Sequence, residues 1–103
     1  MASGKLGSAD LAAETDTLLF TAAAGKITTA NIRWANRNLS SVKIRLAIGS
    51  GASPATTDYL EYDLTLTGNG ITEDTGLILS AGEKCWVRSD TANVSVRAHG
   101  LEQ

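Results

Sequence analysis

The chain has 103 residues, is 43% hydrophobic and carries a formal net charge of -2. That length supports one domain with one core, burying roughly 65% of the surface of the unfolded chain. With 9 basic against 11 acidic residues it lacks the basic excess of a general nucleic-acid binder. The single cysteine, Cys85, excludes an intramolecular disulfide framework and fits synthesis in a reducing compartment. The opening residues, Met1 to Gly7, lack the apolar run of a secretion signal, and no segment approaches the roughly 18 apolar residues of a membrane span.

Residues 1–16 are rich in Ala, Gly, Ser and acids, with Leu6 and Leu11 the only large apolar side chains after Met1. Such a segment buries little, so it reads as an extended arm that orders against a partner. From Thr17 onward the pattern changes to short alternating runs separated by turn residues. Alternation with a period of two is what a half-buried β-strand requires, because successive side chains point to opposite faces. Seven strands are predicted: Thr17–Ala22, Ile27–Asn36, Val42–Gly49, Tyr59–Thr67, Ile71–Leu79, Glu83–Ser89 and Asn93–Leu101. The clearest is the third, where Val42, Ile44, Leu46 and Ile48 share one face and Lys43 and Arg45 the other. In the second, Ala30, Ile32 and Trp34 share a face, with Trp34 as the core plug. The fourth is expected to bury Leu60, Tyr62, Leu64 and Leu66 and to expose Glu61 and Asp63. Gly68-Asn69-Gly70 is a tight turn, because Gly and Asn tolerate positive φ. The fold class expected is all-β: a seven-stranded antiparallel sandwich, immunoglobulin-like or jelly-roll, over residues 17–103, with the arm at 1–16.

No catalytic constellation emerges from this pattern. A Cys85–His99 nucleophile pair would need both side chains within hydrogen-bond reach. Strand parity sends Cys85 and Val87 inward with Val94, Val96 and Ala98, and sends His99 outward. One histidine and one cysteine do not build a zinc site, and Asp58, Glu61, Asp63, Glu73 and Asp74 match no calcium-loop spacing and read as a solvated acidic face. Gly25-Lys26 lacks the remainder of a phosphate-binding loop. No catalytic, metal-binding or cofactor-binding residue is assigned, and no cofactor is expected.

Trp86 is the unusual residue, because parity points it out of the core beside Lys84 and Arg88. In an immunoglobulin-like topology the third, sixth and seventh strands share a sheet. Lys43, Arg45, Lys84, Arg88, Arg97 and His99 would then surround an exposed tryptophan, opposite the acidic side. Trp and Arg are enriched at binding hot spots. This face is the candidate partner interface, with Leu6 and Leu11 of the arm as further contacts.

Several segments resemble small β-sandwich virion proteins of tailed bacteriophages. They are Ala24-Gly25-Lys26 leading into Thr29-Ala30-Asn31-Ile32, Asn36-Arg37-Asn38, and Asp58 to Asp63 before Gly68-Asn69-Gly70. The fullest likeness is Thr75-Gly76-Leu77-Ile78-Leu79-Ser80-Ala81-Gly82-Glu83-Lys84, followed by Val87-Arg88-Ser89 and Asn93-Val94-Ser95-Val96-Arg97. It covers residues 16–101, and no functional residues carry over, because the pattern is one of strands and turns. Cys85-Trp86 and Ala98-His99 depart from it. The resemblance implies a virion structural protein made in the bacterial host cytoplasm. It would be a capsid decoration or cement protein, with a tail, neck, baseplate or fibre accessory part, including a host-surface or glycan-binding module, as the alternative. The implied partners are other virion proteins, such as major capsid or tail proteins, and further copies of the chain, with no nucleic acid and no membrane.

Overall fold

A computed structural model describes residues 3–103. The chain forms eight strands: β1 Ser3–Leu11, β2 Thr17–Thr21, β3 Thr28–Asn36, β4 Val42–Gly49, β5 Tyr59–Leu66, β6 Ile71–Leu79, β7 Lys84–Ser89 and β8 Val94–Glu102. They make two antiparallel four-stranded sheets, β1-β8-β3-β6 and β2-β7-β4-β5. The partners nest: β1 pairs β8, β2 pairs β7, β3 pairs β6 and β4 pairs β5, and β8–β3 and β7–β4 complete the sheets.

The seven strands read from turn chemistry are β2 to β8, each within a residue or so of its expected ends. The count is corrected to eight, because residues 3–11 of the expected arm are β1. Residues 1–2 of that arm lie outside the described residues. Leu11 is buried at 2% exposure and Leu6 packs against the core, so neither is a free partner contact. Leu11 lies opposite Val94 and Ala9 opposite Val96, and both β8 partners face the interior. The segment is ordered within the chain, because β8 pairs one side of its backbone and Leu11 supplies the apolar end that its alanines and glycines lack.

The interior lies between the sheets. Trp34, Ile32, Ile44, Leu46 and Leu79 are fully buried there, with Cys85 and Val87 from β7 and Val94, Val96 and Ala98 from β8. Asn36 ends β3 inside the fold. Its Nδ2 donates to the carbonyls of Ser40 (2.9 Å), Leu66 (3.2 Å) and Thr67 (3.0 Å), and its Oδ1 accepts from Asn38 N (3.0 Å). One amide thus organises the β3–β4 turn and fastens it to the β5–β6 turn. At the other end, the buried Glu102 carboxylate accepts from Ala23 N (2.9 Å) and Thr28 Oγ1 (3.0 Å). These hydrogen bonds hold its pKa below the ordinary value.

β5 departs from its expected parity. Asp63 has φ of 57° and the β4–β5 register shifts between Ile44 and Leu46. This bulge inserts a residue and swaps the faces beyond it. Leu64 and Leu66 stay opposite the interior residues Ile44 and Val42, whereas Glu61 lies opposite Leu46 and turns inward. Tyr62 turns outward and is 59% exposed; Leu60 and Leu64 are also exposed, and only Leu66 of the expected four is buried.

Gly7 shows how closely β1 is seated: a Cβ there would collide with the Leu19 carbonyl oxygen of β2. Gly7→Ala should therefore lower the melting temperature by several degrees, about 1 kcal/mol or more. A calorimetric melt checks this; unchanged melting would mean that β1 is not part of the cooperative unit.

Candidate functional site

The residues grouped as one interface divide between two faces, because β8 lies in the first sheet and β4 and β7 in the second. Lys43, Arg45, Lys84, Trp86 and Arg88 occupy the outer face of the second sheet. Arg97 and His99 occupy the outer face of the first, across the whole interior. The expected seven-residue constellation does not assemble. The same separation removes the Cys85–His99 pair, because Cys85 faces the interior from one sheet and His99 faces outward from the other.

On the second sheet, register places Leu18, Trp86, Ala47 and Tyr59 in one row across the four strands. Trp86 is half-buried, not exposed, and its indole Nε1 is buried without a hydrogen-bond partner among the described residues. The adjacent row sets Arg45 directly opposite Arg88. Arg45 Nε donates to Asp63 Oδ1 at 2.8 Å, and its guanidinium lies 3.9 Å over the Tyr62 ring. The hydrogen bond from Arg45 holds the Asp63 carboxyl below its ordinary pKa. Arg88 reaches Asp16 at 3.7 Å, and Lys84 Nζ donates to the Gly51 carbonyl at 3.1 Å. Charges of both signs interleave here, with Glu14, Asp63 and Asp90 around Lys43, Arg45 and Arg88. The basic face expected from sequence is mostly neutralised within the chain. Beside it, Tyr59 and Tyr62 meet edge-to-face, centroids 5.0 Å apart, and with Pro54 and Thr56 line a recess of about 490 Å³.

On the first sheet, the corresponding rows are Ser8–Arg97–Arg33–Glu73 and Lys5–His99–Asn31. Arg33 and Arg97 are directly opposite each other on the two central strands and both are exposed. Among the described residues neither makes an ion pair; Glu73 instead approaches His99 Nε2 at 4.0 Å. The smaller side chains around them leave a shallow basin of about 990 Å³. Arg33 escaped the sequence reading because only the β3–β8 pairing places it beside Arg97.

The acidic residues of β5 and β6 do not all form a solvated face. Asp74 lies opposite the buried Ile32, and Trp34 Nε1 donates to its Oδ2 at 3.0 Å. Glu61 meets Asp74 from β5 across the margin of the sandwich. Burial first, and then the hydrogen bond and charge of Asp74, push the Glu61 carboxyl up to about 8. Protonation of Glu61 avoids a second negative charge beside Asp74. Among the described residues, no group of three or more His, Cys, Asp or Glu side chains is placed to hold a metal ion. Compared with known proteins, the chain matches no family model, and no curated protein is measurably similar to it.

Two outcomes follow from these environments. Burial pushes the Cys85 thiol up to about 12, so native protein should label with a thiol reagent only at the rate of unfolding; fast stoichiometric labelling without denaturant would contradict the register of β7. For Glu61, the unfolded chain ionises near 4.5 and the fold near 8. Between these values the fold keeps a proton that the unfolded chain has released, so stability falls as pH rises through the window and levels off above it. Denaturant melts from about pH 5 to about pH 9 should show this contribution in wild type and its loss in Glu61→Gln.

Proposed function

We propose that this chain is a non-enzymatic structural protein of a tailed-bacteriophage particle, a decoration or cement protein bound to the particle exterior in many copies. We read its sandwich as a jelly roll, since nested pairing of the first strand with the last, the second with the seventh and so inward is the order expected when a long hairpin is wrapped into two sheets. Jelly rolls recur in viral capsid and lectin domains. The fullest of the segments that resemble phage virion proteins lies on β6, the β6–β7 turn, β7 and β8, strands of both sheets.

The observation that carries the assembly role is the uncovered apolar margin along β5 and β6. Leu64 points toward the interior yet is 41% exposed, because the sandwich is open there; on the edge strand β6, Ile71 (58%) and Ile78 (67%) lie opposite the outward-facing Ala35 and Thr29, and Leu60 and Tyr62 are exposed on β5. Contact with a neighbouring virion protein would cover that margin and stabilise both partners by mass action. Bulges at Asp63 and near Gly76 interrupt both edge strands, which disfavours simple strand addition. The cover is therefore made by side chains.

A second reading, an accessory part of a tail, neck, baseplate or fibre that binds a host-surface glycan, is favoured by the Tyr59–Tyr62 recess, since sugar rings stack on exposed aromatic side chains. Quantitative mass spectrometry of purified particles separates the two. Hundreds of copies per particle are expected for decoration, and about six to twelve for the accessory part, as ring symmetry would give. Absence from particles would overturn both. For the decoration role, the double substitution Leu64→Asp with Ile78→Asp should lower occupancy more than tenfold, about 1.4 kcal/mol, while the isolated domain still melts cooperatively.

A further inference from the structure

The two outer faces pose the same electrostatic problem and solve it differently. Each carries a pair of arginines directly opposite on neighbouring central strands: Arg45 and Arg88 on the second sheet, Arg33 and Arg97 on the first. Like charges at directly opposed positions are destabilising. On the second sheet each guanidinium has its own carboxylate, Asp63 at 2.8 Å and Asp16 at 3.7 Å. On the first sheet, among the described residues, neither has one. Glu73, next in the row beyond Arg33, approaches His99, and Asp10 at the rim of the basin is engaged by Arg37. Lys5, opposite His99, adds a further cation. The unpaired arginines lie in a shallow, open basin of about 990 Å³. Its floor carries small residues: Ser8, Ser95 and Ala35 flank the guanidiniums and leave them open from above.

We propose that this basin binds a small oxyanionic ligand of the size of an acidic sugar, whose carboxylate, sulfate or phosphate bridges the guanidiniums of Arg33 and Arg97. A planar or tetrahedral oxyanion matches the arginine fork, accepts two parallel hydrogen bonds from each partner and removes the repulsion between them. The hydroxyl-bearing Ser8 and Ser95 line the same basin, in the same and the neighbouring row. The inference concerns the outer face of the first sheet and does not rest on any role in a particle.

The test is binding to the purified full chain, followed by amide chemical shifts and by thermal stabilisation. The probes are glucuronate, glucose 6-phosphate, inorganic phosphate and glucose. The first two should bind saturably and shift amides of β3 and β8 around Arg33 and Arg97; glucose should not. Tighter binding of both sugar acids than of phosphate supports a sugar-sized ligand, whereas phosphate binding as tightly as either would overturn that part and leave a simple ion site. Arg33→Gln and Arg97→Gln should each weaken binding at least tenfold, while Arg45→Gln on the opposite face should not change it. Both variants should melt no lower than wild type without ligand, since each removes a like-charge neighbour. They should also lose the ligand-induced rise in melting temperature. Failure of all three anions to bind saturably, or binding that survives both substitutions, would overturn the proposal. So would anion shifts centred on the Arg45–Arg88 face.

Discussion

A fully buried indole brings one N–H into the interior, and that N–H must find an acceptor. Trp34 sits at 0% exposure between the sheets, and its acceptor is the Asp74 carboxylate. An unmade hydrogen bond at such a site costs about 1–3 kcal/mol, so the carboxylate is drawn inward from β6. Its charge then acts on what lies across the margin. Glu61 enters the same space from β5 and stays protonated because a second anion there would face both desolvation and repulsion. A polar pair now occupies the place where apolar side chains would otherwise join the two edges. Burial of the largest core side chain, the raised carboxyl of Glu61 and the exposure of Leu64 are linked through one acceptor.

The opposite ends of the molecule are secured by equally specific polar contacts. Asn36 ties two turns together at one end, and Glu102 holds the last strand to the turn after β2 at the other. In each, a side chain serves backbone groups that the sheets leave without partners. These contacts leave the central strands free to carry charged side chains on their outer faces. There, neighbouring arginines across β4–β7 and β3–β8 give the two faces their different characters: an internally neutralised lattice on one, an open cationic basin on the other.

Much of the architecture is legible in the chain because turn chemistry and alternation are local. Gly68-Asn69-Gly70, Ser80-Ala81-Gly82 and Asp90-Thr91-Ala92 punctuate strands whose boundaries the structure reproduces. The parity of β7 and β8 places Cys85, Val87, Val94, Val96 and Ala98 inside and His99 outside, as observed. β1 was not legible. Its alanines, serines and glycines resemble a tether, and only pairing with β8 makes a strand of them. β5 misled for a different reason. Asp63 in a left-handed conformation swaps two faces with no change in composition, and the tolerance of Asp for positive φ is too common to announce a bulge.

The sequence alone therefore determined an all-β chain, most of its strands and turns, its buried tryptophan and the orientation of side chains along each regular run. These depend on a two-residue backbone period and on which residues accept turn geometry, both set within a few positions. Only the tertiary structure decided which strands are neighbours. Through that it decided that Arg97 belongs beside Arg33 and not beside Trp86, that Leu11 is core, and that Glu61 faces Asp74. Strand pairing joins residues up to nearly a hundred positions apart, and its energy depends on the simultaneous fit of two whole sheets, which no local pattern encodes.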